Sequence, residues 1–426
     1  MNADAKFVKD MVLAHHEWFD QCIPLIASEN VMSPLAREML TCDFGHRYAE
    51  GHPGARYYRG CKYIDEVELH CIEMAKKLFG ASYVDVRPLS GTDANMGVLF
   101  ALAKPGDTIT AVSVPGGAHI SHGPFGAVGV RALNLTLYPS DLEHFTLDVD
   151  GTIKVLREAR PKIALFGQSV FLFPTPLREL QEVIADVGAY PVYDAAHVLG
   201  LIAGGKFQDP LREGAEILTS STHKTFPGPQ HGIIIANPRD ERTERHLDFG
   251  VFPGVLSNHH LHHLAALGIT LAEVMTYGKE YADQTVKNAK ALGQALYERG
   301  FAVMAEDWGF TESHTLVVDV SEHGGGKWAD EAMEKANIIT NRELLPWDDV
   351  SKAMEPSGIR LGSQELTRIG MGEGDMVDVA ELIKKVVIDR VDPEKVKESV
   401  IELRRGYRTC KYCFNEGEAY RHFELV

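Results

Sequence analysis

From Val84 to Leu218 the chain repeats one pattern, a short apolar run followed by a helical stretch, and that rhythm leaves few folds open. Ala111-Val-Ser-Val114, Ile163-Ala-Leu-Phe166 and Val192-Tyr-Asp194 read as strands, with turn residues or helices between them. Strands alternating with helices pack most simply as a mostly parallel sheet covered by helices, so an α/β domain is expected. Upstream, residues 5–20 read as a helical docking arm and Asp65–Phe79 as a second helix. Downstream, residues 259–300 carry a long helical pattern. Ala302–Met304 and Leu316–Val320 then read as strands, and Asp375–Ile388 and Pro393–Tyr407 as helices. The expected division is an arm at 1–28, a large α/β domain at 29–270 and a smaller C-terminal α+β domain at 271–426, with a cleft for a small molecule.

Composition narrows the partners. With 426 residues, 45% hydrophobic and 24% charged, the chain has the make-up of a globular protein. A net charge of −17 argues against binding nucleic acid through a basic surface. The N-terminus lacks the apolar stretch of a signal peptide, and no window approaches the roughly 18 apolar residues that cross a bilayer. A full-length cytoplasmic protein with no membrane partner is expected. Six scattered cysteines make no disulfide framework and suit a reducing compartment. Cys410 and Cys413 have metal or redox spacing, but no second such pair completes a tetrahedral site, so they read as two unrelated thiols.

The chemistry concentrates in Ser220-Ser-Thr-His-Lys-Thr-Phe-Pro-Gly-Pro-Gln-His-Gly232, where Lys224 is flanked by small hydroxyl residues and followed by a turn. About thirty residues upstream, Asp194 ends an apolar strand, the place where α/β folds put ligands. A lysine amine that forms an imine, paired with an acid that keeps a pyridine nitrogen protonated, is what pyridoxal 5′-phosphate (PLP) needs. His197, three residues past Asp194, is placed to face the same site. Ser90-Gly-Thr-Asp-Ala-Asn95 follows the apolar Val84–Leu89 stretch and opens a helical run over Asn95–Ala103, so its backbone N–H groups suit a phosphate.

Several further stretches, in order, resemble one family: Leu25-Ile-Ala-Ser-Glu-Asn30, Tyr48-Ala-Glu-Gly-His-Pro-Gly-Ala-Arg-Tyr-Tyr58, Tyr63-Ile-Asp-Glu-Val-Glu68, Asp194-Ala-Ala-His-Val-Leu-Gly-Leu201, Thr222-His-Lys-Thr225, Val251-Phe-Pro-Gly254 and Ser357-Gly-Ile-Arg-Leu-Gly362. Together they resemble the serine (glycine) hydroxymethyltransferases, from near residue 10 to about residue 390. Phe166-Gly-Gln-Ser169, Phe226-Pro-Gly-Pro-Gln230 and Leu345-Pro-Trp-Asp-Asp349 look most like the branch found in methanogenic archaea. The resemblance implies fold type I of the PLP-dependent transferases, the aspartate-aminotransferase-like fold. It implies that His119 stacks on the cofactor ring and that Ser90, Gly91, Thr92 and His223 hold its phosphate. It further implies Ser169 and His197 at the phenolic oxygen and Thr222 beside Lys224. Arg360 and Ser28 would hold the substrate carboxylate. Glu50 would be the proton-transfer carboxyl, with Tyr48 and Tyr58 alongside, these three coming from the neighbouring subunit of a homodimer. The implied reaction passes a hydroxymethyl group between L-serine and glycine, with a reduced pterin as carrier, tetrahydromethanopterin or tetrahydrofolate.

The match departs from the family in three places. After Val251–Gly254 a Gly-rich stretch is replaced by Val255-Leu-Ser-Asn-His-His-Leu-His-His263, which leaves Ser257 and Asn258 to serve the neighbour's phosphate. The histidines His259, His260, His262 and His263 are split across helix faces and read as interface residues, not as metal ligands. Pro227 and Gln230-His231 replace the commoner turn after the lysine, and the pterin-facing region near Leu345–Trp347 differs from the folate-using majority. The runner-up reading is an L-threonine aldolase or transaldolase acting without pterin, and the last is an inactive scaffold of the same fold.

Overall fold

The computed structural model describes residues 1–349, 351 and 353–423. They form two compact units, Leu35–Asp283 on the one hand and Met1–Pro34 with Gln284–Val426 on the other. The division falls inside the helix Leu261–Glu298. It therefore differs from the expected boundary near residue 271, and the N-terminal segment falls in the same unit as the C-terminal chain.

The unit Leu35–Asp283 is built on a seven-stranded sheet. Its spatial order is Tyr83–Asp85, Gly232–Ala236, Ile217–Ser221, Tyr190–Asp194, Ile163–Phe166, Thr108–Ala111 and Asn134–Leu137. All neighbours are parallel except Gly232–Ala236, which runs antiparallel to both strands beside it. The inner strands are buried on both faces, hence the continuous apolar runs Ile163-Ala-Leu-Phe166 and Gly232-Ile-Ile-Ile-Ala236. Val98, Leu99 and Leu102 of the helix Gly91–Leu102 pack with Ile109, Ile163, Val192, Ile217 and Ile234 into one core. One expected strand was displaced: Ala111–Val114 gives way to Thr108–Ala111, because the β-branched Thr-Ile-Thr triplet pairs on both sides. From Val112 onward the chain has left the sheet at its C-terminal edge, where it forms a loop leading to His119.

The second unit holds a four-stranded antiparallel sheet in the order Ala302–Val303, Thr315–Asp319, Gly358–Gly362, Asn341–Glu343, with the helices Gly325–Lys335, Glu373–Val387 and Pro393–Arg404. The N-terminal segment completes it. Ile23 and Pro24 pair in parallel with Ile338 and Ile339, and Gly362 N–H donates to the Leu25 carbonyl at 2.7 Å. Ile23 and Leu25 are fully buried in a core shared with Leu316, Ile359, Met376 and Ile383. Cys410, Cys413 and Ala419 lie in the same core, so the chain beyond Tyr407 packs onto this unit. No helix among the described residues is long and apolar enough to cross a membrane.

Candidate active site

The parallel strands of the seven-stranded sheet end at one edge, and the loops beyond them meet around a cavity of about 130 Å³. Asp194 is the last residue of Tyr190–Asp194, and Ser221 the last of Ile217–Ser221, with Lys224 three residues on. The cavity is lined by Ser90, Gly91, Thr92, His119, Ser169, Asp194, His197, His223 and Lys224, nine residues singled out in the sequence. Asn95, Ser121, His122, Gln168, Ala196 and Ser221 complete the lining and were not singled out.

Asp194 is 7% exposed and heavily partnered. Its Oδ2 accepts from Asn95 Nδ2 at 2.7 Å and lies 3.0 Å from His122 Nε2, while Oδ1 accepts from the Ala196 N–H at 2.9 Å. Burial alone raises its pKa, but His122, Asn95 and the Ala196 amide together outweigh burial and bring it down to about 2. Asn95 is itself oriented, because its Oδ1 accepts from the Thr219 hydroxyl at 2.5 Å. The strand Ile217–Ser221 thus fixes a helix amide, and the amide fixes the acid. Gly167 makes the neighbouring approach possible: at φ +118°, a Cβ there would lie 2.4 Å from the Asp194 carbonyl oxygen.

Lys224 Nζ donates to the Ser221 hydroxyl at 2.8 Å. Ser90 caps the helix Gly91–Leu102, accepting from the Asp93 N–H at 3.1 Å, and leaves first-turn amides at the cavity. The helix start comes so close to the lysine strand that a Cβ on Gly91 would stand 3.0 Å from the Ser221 nitrogen. His223 Nδ1 is buried without a hydrogen-bond partner, and burial, reinforced by the Lys224 charge, lowers its pKa to about 4. Gln168 Nε2 donates to the Gly116 and Phe145 carbonyls at 2.6 and 2.9 Å, pinning the loop before His119. His119 Nδ1 is in turn 2.7 Å from the Ser121 hydroxyl. Helix amides and an unpartnered imidazole for a phosphate, an amine for an aldehyde, and a buried anion for a ring N–H together fit PLP.

Other sequence candidates lie elsewhere. Thr222 is fully buried, and its hydroxyl donates to the Pro229 carbonyl at 2.7 Å, so it braces the turn after the lysine and is not among the residues lining the cavity. Tyr48, Glu50, Tyr58, Ser257 and Asn258 are also absent from that lining but stand together. Tyr48 Oη is 3.0 Å from Ser257 Oγ, the Ala49 N–H donates to Asn258 Oδ1 at 2.9 Å, and the Tyr48 and Tyr58 rings are 4.9 Å apart. The loop is gripped by Arg56, whose side chain is 2% exposed. It bonds the carbonyls of Ala49 and Gly51 on either side of Glu50, at 2.7 and 2.5 Å, and pairs with Asp65 at 2.8 Å and Glu68 at 2.6 Å. His259 Nε2 lies 3.0 Å from Glu68, which accounts for one of the four clustered histidines. Arg360 and Ser28 belong to the other unit, with Arg360 on the strand Gly358–Gly362.

The family model for serine hydroxymethyltransferase matches residues 2–383. Curated relatives of that name include those of Methanopyrus kandleri, 56% identical over 97% of this chain and 96% of the relative, and Picrophilus torridus, 54% identical over 99% and 97%. The relative from Thermoplasma acidophilum is 52% identical over 99% of both chains. A PLP-fitting cavity at the strand ends, a mostly parallel sheet with one reversed strand, and similarity along nearly the whole chain agree: this chain belongs to the serine hydroxymethyltransferase family, whose members are PLP-dependent enzymes of fold type I.

Proposed function

We propose that the protein transfers a hydroxymethyl group reversibly between L-serine and glycine, using PLP and a reduced pterin as one-carbon carrier. The observation that carries this reading is the convergence of Lys224, Asp194 and the Ser90–Thr92 helix start on one cavity in a chain of this family. When bound, PLP supplies an electron sink for the charge released as a bond at the amino acid's Cα breaks. The Lys224 amine, which lines the cavity, would hold the cofactor through its aldehyde. Asp194, an anion throughout the working pH range, keeps a proton on the ring nitrogen. Ser90, Gly91, Thr92 and His223 would hold the phosphate, His119 would lie against the ring, and Ser169 and His197 would serve the phenolic oxygen. Arg360 and Ser28 hold the substrate carboxylate, orienting the bond that breaks. Glu50 exchanges the proton of the hydroxymethyl step, beside Tyr48 and Tyr58.

The last three residues, with Ser257 and Asn258, act on the neighbour's site in a homodimer. Support comes from their clustering in one patch apart from the lining of the same chain's cavity. A cytoplasmic location agrees with six cysteines that form no disulfide among the described residues. The deciding assay is cleavage of L-serine by the PLP-loaded protein with tetrahydrofolate and with tetrahydromethanopterin. Stimulation by one of them is expected. Activity on threonine plus an aldehyde, indifferent to either pterin, overturns the reading in favour of a transaldolase.

A further inference from the structure

The strands Asn341–Glu343 and Gly358–Gly362 carry a charge pairing that the proposed chemistry leaves unused. They are antiparallel, with Asn341 opposite Arg360 and Glu343 opposite Gly358. Strand alternation therefore puts Asn341, Glu343 and Arg360 on one face and Arg342 on the other. Arg360 Nε lies 3.5 Å from Glu343 Oε2 and donates to Asn341 Oδ1 at 3.3 Å. The two charged side chains are 10% and 21% exposed. Arg342 is engaged by Asp330 and Glu331. Burial raises the Glu343 carboxyl above its ordinary range, against the pull of Arg360 and Asn341.

We propose that Glu343 is a positioning residue that sets how tightly Arg360 grips the substrate's carboxylate, and that it takes up a proton when that carboxylate binds. The inference rests on the assignment of Arg360 to the substrate carboxylate. With Glu343 ionised, the guanidinium is already neutralised, and a second carboxylate entering this poorly solvated place meets a like charge. Transfer of a proton from solvent to Glu343 removes the repulsion, while Arg360 keeps its own proton throughout. Carboxylate affinity then falls as pH rises through the Glu343 pKa. A ligand without a carboxylate, glycinamide for instance, escapes this dependence.

The test is titration of the PLP-loaded protein with L-serine and with glycinamide, followed by visible absorbance. Calorimetry in two buffers of different ionisation enthalpy counts the protons. Glu343→Gln is expected to tighten serine binding roughly three- to tenfold at a pH where Glu343 is ionised and to flatten its pH profile. Glu343→Asp should retain the profile, and glycinamide should bind all three forms alike. Unchanged or weaker serine binding by a folded Glu343→Gln variant overturns the proposal. Should that variant not fold, the wild-type proton count decides, and equal counts for serine and glycinamide overturn it. Wild-type serine affinity in Arg360→Ala would instead overturn the carboxylate assignment beneath it.

Discussion

Asp194 shows how one residue's environment is written by several elements. Its two carboxylate oxygens are engaged by a helix amide, an imidazole and a backbone N–H, so its charge survives burial. Against an ordinary aspartate value of about 3.9, a pKa of about 2 means the acid's contribution to stability is present above about pH 4 and is lost as pH falls toward 2. Between neutral and mildly acidic pH the charge is constant. Asp194→Asn should therefore lower turnover by on the order of a hundredfold, by the same factor at each pH in that range. A pH–rate profile of the variant beside the wild type checks this. Lys224→Ala should still bind PLP loosely but lose the visible band of the lysine-bound cofactor. Both residues were legible in the sequence because an acid ending an apolar strand and a lysine in a small-residue turn are local patterns. Asn95 and His122 were not, since their importance lies in which way a buried polar side chain faces. An Asn in the apolar run Asn95–Leu102 was the one available hint.

At the scale of elements, the loop Tyr48–Tyr58 has almost no regular structure and depends on one side chain. Arg56 satisfies two carbonyls and two carboxylates from a buried position. Arg56→Ala strands the buried Glu68 carboxylate with only His259, and should cost about 3–5 kcal/mol of stability, read as a drop in the urea midpoint. The C-terminal segment offers a second device. Tyr420, itself half-buried, donates to the buried Glu365 carboxyl at 2.7 Å. Burial first, then the nearby Glu29 charge, raise the Glu365 pKa to about 7 despite the Tyr420 bond. A carboxyl raised in the fold contributes stability that is present below its unfolded value, near 4.3, and lost as pH rises through about 7. The melting temperature should therefore fall between about pH 5 and 8, and Glu365→Gln should flatten that slope. Helices and strands with a clean period were legible to within a few residues. The reversed strand Gly232–Ala236 and the short strand Asn134–Leu137 were not, because orientation and edge pairing are decided by the rest of the sheet.

Each of the two compact units has a core of its own, and each was legible as a class of architecture. The pairing of the N-terminal segment was not legible, because Ile23–Leu25 is short and its pairing partner, Ile338–Ile339, lies more than three hundred residues away. If the active site is shared between subunits, mixing the inactive variants Lys224→Ala and Glu50→Gln puts one intact site in each hybrid dimer. About a quarter of wild-type activity should return, since roughly half of randomly re-formed dimers are hybrids with one of two sites whole. No recovery after subunit exchange would place Glu50 with the lysine of its own chain. The stitching of Met1–Pro34 into the C-terminal core also bears on synthesis. At about 5–20 residues per second, the opening segment leaves the ribosome roughly 15–60 seconds before the strands and helices that receive it, while Leu35–Asp283 emerges complete in between. Ile23 and Leu25 must spend that interval uncovered, and a nascent chain halted before Ile338 has no place to put them.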